Sequence, residues 1–175
     1  MNDKKEIPQW RVLYTKPRAE KKAKDLLAEK GFVTYLPCTT VVKQWSDRKK
    51  KVLEPLFRSY LFIFSIESQL YEITREESIV GIVHFGEHLA VVREKEMDII
   101  RKIEAGITDV AVVDHTIIEG QKVRIKTGPL TGTIGILTEF RGAQRVAIAI
   151  ETLGSNLLIN VAAGDITKVK EHEHS

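Results

Sequence analysis

The 175 residues are 43% hydrophobic and 29% charged, enough apolar material for one core or two small ones and too little for more. The longest unbroken apolar runs, such as YLFIF at 60–64, fall far short of the roughly 20 residues that span a bilayer, and the single cysteine, Cys38, makes neither an internal disulfide nor a thiolate metal cage. A net charge of +3 hides strong polarity along the chain: residues 1–60 hold 15 Lys/Arg against 7 Asp/Glu, residues 61–110 hold 5 against 10, and the remainder balances at 7 and 7, a pattern that points to a polyanion or an acidic partner for the first part.

The opening MNDKKEIP has no apolar h-region behind its charges, so the expected setting is a reduced cytoplasm. WRVLY at 10–14 predicts a strand, and Pro17 suits the first position of a following helix. Ala19, Ala23, Leu26 and Leu27 repeat at helical spacing with Lys21, Lys22 and Lys24 opposite, and Gly31 supplies the stop; the helix is expected to run about 14 residues. Phe32 to Val42 predicts a strand interrupted near Pro37. After the basic segment 43–51 comes LEPLFRSYLFIF, read as a central strand covered on both faces. Ile66, Leu70 and Ile73 mark a short second helix, with Ser65 able to cap it. Strand material follows around Gly81 and Gly86. A third helix carries Glu94, Glu96 and Asp98 in its first turn and Arg101 and Lys102 near its end, matching the helix dipole, and stops at Gly106. This order, β-α-β-β-α-β-α, predicts an α+β sandwich: one antiparallel sheet backed by helices in the split, ferredoxin-like arrangement.

Texture changes near Gly106. ITDVAVVDHT reads as a linker, with the boundary between 106 and 117, and KVRIK, TIGIL, RVAIAIE, LLINV and ITKV then predict five short strands closing into a small barrel. The glycines at 128, 132, 135, 142, 154 and 164 would each cost a helix about 1 kcal/mol, so this segment is expected to stay in strands.

Three features could carry function. Residues 43–51 hold five positive charges and one negative around Trp45; between two strands they form an exposed hairpin loop, suited to neutralising phosphates while a base stacks on the indole. A solvated turn has the same composition, and composition alone does not separate the two. The aromatics Tyr14, Phe57, Tyr60, Phe62 and Phe85 fall on or beside sheet strands, with Tyr60 and Phe62 on one face and Leu61 and Ile63 on the other, which leaves either two covered faces or one apolar docking face. For catalysis, Gly128, Gly132 and Gly135 are spaced G-x3-G-x2-G, neither a dinucleotide fingerprint nor a P-loop, and no helix follows to receive a phosphate. Cys38 has no nearby His, and the terminal EHEHS reads as a polar tail. The chain is expected not to be an enzyme, and to need no metal or cofactor.

Taken together, WRVLYTKPRAEKKAKDLL, the PLFRSYLFIF strand after a basic hairpin, and KVRIKTGPLTGTIGIL resemble the NusG family of transcription elongation factors over nearly the whole chain. The resemblance implies an α+β N-terminal NusG domain at 8–108, a linker at 109–117 and a C-terminal KOW domain at 118–170, the last an SH3-like small β-barrel. QWSDRKKK and EPLFRSYLF lean toward the specialised RfaH-like paralogues that control capsular polysaccharide operons. Housekeeping members have Pro-Gly before the strand tyrosine, whereas this chain has Arg58-Ser59-Tyr60.

The resemblance further implies a monomer that docks an apolar patch, Tyr14, Phe57, Tyr60, Phe62 and Phe85, on the clamp helices of the RNA polymerase β′ subunit and bridges toward β. Lys16, Arg18, Lys43, Trp45, Arg48, Lys49, Lys50 and Arg75 would approach upstream or non-template DNA. Gly128 and Leu130 would sit in the KOW turn that meets ribosomal protein S10; with leucine where the family has an aromatic anchor, a contact to Rho is not expected. The alternative reading is a KOW-bearing RNA-binding or ribosome-associated factor.

Overall fold

Large apolar residues at alternating positions build β1 (Gln9–Thr15) in the computed structural model, which describes residues 6–107, 109–114 and 118–170. The EHEHS tail therefore lies outside the described residues. Two units divide the chain, Met1–Cys38 with Pro55–Met97, and Thr39–Glu54 with Asp98–Ser175.

In the first unit β1 is followed by α1 (Glu20–Glu29), β2 (Val33–Tyr35), β5 (Tyr60–Ser65), α2 (Leu70–Thr74) and β6 (Ile79–Ile82), with β3 (Cys38–Gln44) and β4 (Lys49–Pro55) lying between β2 and β5 in the chain. The sheet order is β2-β5-β1-β6 with every neighbouring pair antiparallel. Strands β1 and β2 consequently run parallel with β5 inserted between them, the split arrangement that the element order predicts. Leu13, Leu61 and Ile63 on one face of this sheet join Ala23 and Leu27 of α1 and Leu70 and Ile73 of α2 in a single core; burying each large aliphatic side chain contributes about 1.5–3 kcal/mol. A small hairpin of β7 (His84–Phe85) and β8 (His88–Leu89) follows, and α3 (Glu94–Gly106) starts in the first unit and continues into the second after Met97. Two surface contacts show as shifted titrations. The Lys30 ammonium donates a hydrogen bond to Glu76, which raises its pKa. Ser68 donates to Glu6 from its side chain and its backbone, which lowers that of the carboxyl.

In the second unit β3 and β4 form a two-stranded hairpin. Strands β9 (Ala111–Asp114), β10 (Gln121–Ile125), β11 (Ile134–Phe140), β12 (Ala143–Ile150), β13 (Ser155–Ile159) and β14 (Ile166–Lys168) make one six-stranded antiparallel sheet, ordered β14-β10-β11-β12-β13-β9. Val123, Ile125, Val146, Ile148, Ile150, Leu157 and Ile159 are buried there. Among the described residues no helix is long and apolar enough to cross a membrane.

Four local expectations are corrected. Helix α1 starts at Glu20, not Pro17, because Arg18 takes a left-handed φ of 63° that no helix can continue through; its stop at Gly31, φ 86°, is as expected. Ser65 is buried and does not cap α2; instead Ile66 N–H donates to the Gln69 side chain at 3.2 Å. Arg101 and Lys102 precede the last turn of α3, and Arg101 pairs with Asp98 at 3.1 Å. Residues 111–114, expected within a linker, form β9 paired along β13. Only the two valines of AVVD favour a strand; the edge that makes it one is supplied by β13.

Candidate protein-docking and nucleic-acid interfaces

The face of the first sheet that turns away from the helical core is aromatic. The register places Trp10 opposite Phe64, Val12 opposite Phe62, Tyr14 opposite Tyr60, and on the other side Tyr35 opposite Phe62. Rings meet along it: Trp10 and Phe64 with centroids 5.3 Å apart, Tyr35 and Phe62 at 6.2 Å, Phe57 and Phe62 at 6.1 Å, and Tyr14 and Tyr60 at 5.0 Å with their hydroxyls 3.4 Å apart.

Burial sorts these residues into two groups. Phe57 and Phe62 are 3% and 0% exposed, so the expectation that they form part of a docking patch does not agree with the structure: they pack beneath the face as core. Tyr14 is 39% exposed and Tyr60 half-buried, and Phe85, 74% exposed, sits on the separate β7–β8 hairpin. Three aromatics were missed, namely Trp10, Tyr35 and Phe64. Period-2 alternation carried the signal for two of them: Trp10 shares a face with Tyr14 in β1, and Phe64 shares one with Tyr60 and Phe62 in β5.

A buried carboxylate fixes the turn that leads into Tyr60. Ser59 takes a left-handed φ of 61°, its N–H donates to Glu20 Oε1 at 2.7 Å, and its carbonyl accepts from Thr15 N–H at 2.9 Å. Glu20 is only 6% exposed, and nothing in sequence periodicity singles it out. Because a left-handed conformation costs an L-residue about 1–2 kcal/mol and glycine avoids most of that, Ser59→Gly is expected to stabilise the chain by about 0.5–1 kcal/mol. Glu20→Ala, which takes the acceptor from the part-buried Ser59 N–H, is expected to cost about 1–3 kcal/mol. Urea midpoints at unchanged slope check both.

The cations fall into two settings. In the first unit Lys16 pairs with Glu77 at 3.6 Å and Arg75 lies 5.8 Å over the exposed Tyr71 ring, while Arg18 is exposed beyond β1. In the second unit the β3–β4 turn is closed by Trp45 N–H donating to the Arg48 carbonyl at 2.8 Å. Lys43 pairs with Glu54 and Arg48 lies 4.0 Å from Asp47, whereas Lys49, Lys50 and the missed Lys51 are exposed, with Trp45 at 55%. The hairpin thus concentrates positive charge around one open indole.

Leu130 is also corrected. It is 2% exposed, turned into the second unit beside a cavity of about 200 Å³ lined by Ile107, Ile125, Pro129 and Ile159. Gly128 and Pro129 stay exposed, and the turn is pinned by Thr131, whose hydroxyl donates to the Gly128 carbonyl at 2.7 Å. Among the described residues no group of three or more His, Cys, Asp or Glu could hold a metal ion.

The family model described as "Transcription termination factor nusG" matches residues 8–101. A solved structure titled "Domain interaction in Thermotoga maritima NusG" is similar over 93% of this chain and 98% of its own, at 18% identity and a TM-score of 0.58, a likeness of fold. The two conformations of the crystallised MjSpt4:Spt5 complex match over 93% and 94% of this chain and 99% of theirs, at 16% and 15% identity and TM-scores of 0.30 and 0.33.

Proposed function

Because the chain belongs to the NusG family, whose model covers residues 8–101, we propose that it is a transcription elongation factor of the specialised, RfaH-like kind. It acts by binding RNA polymerase rather than by making or breaking a bond. The observation that carries this reading is the aromatic sheet face, with the Tyr14–Tyr60 pair part-exposed at one end. Large aromatics with polar tips are the residues that anchor protein interfaces. On this reading the pair, with Phe85 as a second contact, docks on the clamp helices of β′ while the protein reaches toward β, and Phe57 and Phe62 support the face from beneath. Binding across the cleft holds the clamp closed and disfavours the open states that precede pausing, a population shift scaled by the differential affinity for the two states. The consequence is antitermination on long operons. We assign the part after residue 117 to a KOW domain, whose exposed Gly128–Pro129 turn faces a ribosomal partner such as S10, and we place the protein's work in the cytoplasm.

The basic hairpin contacts upstream or non-template DNA, with Trp45 offered to an unstacked base. Changing Arg48, Lys49 and Lys50 to glutamine is expected to weaken association with an elongation complex and to lower the log–log salt slope by about 2 to 3, since fewer counterions are released. Fold stability is expected to stay within about 0.5 kcal/mol. An unchanged salt slope would return the hairpin to a solvated turn. The reading as a whole is tested by pull-down of the purified chain with core polymerase against ribosomal subunits: retention on polymerase is expected, and retention on ribosomal subunits alone would favour the ribosome-associated alternative.

A further inference from the structure

The β3–β4 ribbon of the second unit is a sheet of two strands, so each strand is paired on one side only. Hydrogen bonds at its two ends fix which backbone groups are left over. Trp45 N–H donates to the Arg48 carbonyl at 2.8 Å at the tip, and Leu56 N–H donates to the Pro37 carbonyl at 2.7 Å just below the base. Both bonds belong to one antiparallel register, in which alternate residues of β3 bond to β4. Thr39, Val41 and Lys43 therefore bond inward. Thr40, Val42 and Gln44 turn their N–H and carbonyl groups outward, to a side that no described strand occupies.

The two outer edges differ in what guards them. Strand β4 reads KKKVLEP, and lysine and proline are residues that keep an edge from pairing with another chain. Strand β3 reads CTTVVKQ, and its one charge, Lys43, is tied to Glu54. Thr39 to Val42 are all β-branched, the type that favours a strand. Burial alternates along them: Thr39 and Val41 are half-buried, and Thr40 and Val42 are exposed, the latter at 57%. Strand β3 thus has an unguarded edge with one sheltered face and one open face.

The open face is basic. In the same register Lys49 stands opposite Gln44 and Lys51 opposite Val42, so both lysines share that face, and both are exposed, as is Lys50. A strand added beside β3 would lie about 10 Å from them across the ribbon, a span that a lysine and a glutamate side chain cover together. A nucleic acid neutralises such lysines without completing the edge, because its phosphates accept hydrogen bonds and donate none. An extended peptide supplies donors and acceptors alternately, at the strand repeat. A second copy of this chain would bring its own lysines, and like charges facing one another destabilise a pair of strands. We propose that the outer edge of β3, Thr40 to Gln44, takes up an extended acidic segment of a protein partner as a third strand. Its β-branched side chains lie beside Thr39 and Val41, and its carboxylates lie on the face of Lys49 and Lys51.

The test uses the full chain, isotopically labelled, and a peptide of about nine residues that alternates valine with glutamate, within the usual length of a strand. Amide hydrogen exchange at Thr40 and Val42 is expected to slow about tenfold or more as the peptide binds. Methylating alternate backbone nitrogens of the peptide is expected to abolish binding in one phase and to spare it in the other, because a strand pairs through one edge at a time. Val42→Pro removes an outward N–H at a position where an edge strand tolerates proline. This variant is expected to bind the peptide about tenfold more weakly, the loss of one hydrogen bond, with circular dichroism and polymerase retention unchanged. A peptide with lysine in place of glutamate is expected not to bind, and added salt to weaken the glutamate peptide.

No effect of the glutamate peptide in large excess, equal loss in both methylation phases, wild-type affinity in Val42→Pro, or a lysine peptide that binds as well would each overturn the proposal. Slowed exchange at Thr40 and Val42 with single-stranded DNA and not with peptide would give the edge to nucleic acid. A dimer of the chain that Val42→Pro dissociates would give it to a second copy. Either result would overturn the proposal as well. Polymerase retention without peptide binding would leave the function proposed above standing and remove only the third strand.

Discussion

Replacing Tyr14 and Tyr60 together by alanine is expected to abolish retention on core RNA polymerase while the chain stays folded. Each tyrosine is partly exposed, and the two rings lean on one another with hydroxyls 3.4 Å apart, so truncation removes contact surface without opening a cavity in the core beneath. Interface aromatics at the centre of a patch typically contribute more than about 2 kcal/mol each, about thirtyfold in affinity per residue. Single substitutions are expected to fall between wild type and the pair, and the two effects to be non-additive because the rings touch. Binding by the double variant within a few-fold of wild type, with its circular dichroism unchanged, would remove this end of the aromatic face from the docking surface.

The contrasting expectation concerns Phe57 and Phe62, which the sequence placed in the same patch. Both are buried, with ring centroids 6.1 Å apart, so Phe57→Ala and Phe62→Ala are each expected to destabilise the first unit by about 3–5 kcal/mol, the range for emptying a core phenylalanine site. That is a large share of the stability of a small domain. Urea denaturation followed by far-ultraviolet circular dichroism measures it. A loss below about 1 kcal/mol in either variant would show that the ring is not integral to the core and would restore it as a candidate contact. The two pairs of substitutions thus separate residues that period and composition treat alike.

Why the sequence ran together what the structure separates is plain at β5. Alternation along YLFIF correctly divides Tyr60 and Phe62 from Leu61 and Ile63, and the latter two do enter the core under α1 and α2. Alternation gives a side, however, and not a depth. Phe62 lies between Val12 and Tyr35 in the pairing of three strands, while Tyr60 lies near the strand end beside Tyr14. Depth depends on which strands flank β5, and those pairings come from parts of the chain far apart in sequence. Local signals performed better where the physics is local. Gly31 ends α1 because backbone conformation there is decided within a few residues.

Glu20 and Asp109 show the opposite limit. Each is one acid among many in the sequence. Glu20 is set apart only by burial and by the Ser59 N–H that it accepts, and Asp109 only by the Arg145 and Asn160 side chains that converge on it. Strand β9 was illegible for a related reason: AVVD forms a strand by pairing with β13, some 45 residues later, a tertiary choice that local propensity does not encode. The basic hairpin, by contrast, was fully visible as a charge run. The structure adds that Lys43 is tied to Glu54 while Lys49, Lys50 and Lys51 are exposed.

The most direct test of the account is single-round transcription by RNA polymerase holoenzyme on a template with a defined pause, with the purified chain added in increasing amounts. The account predicts a shorter pause lifetime and more full-length transcript, saturating at the concentration at which the chain binds polymerase, with neither effect from the Tyr14→Ala/Tyr60→Ala variant. A pause that lengthens, or a lifetime unchanged when polymerase is saturated with the wild-type chain, would contradict it.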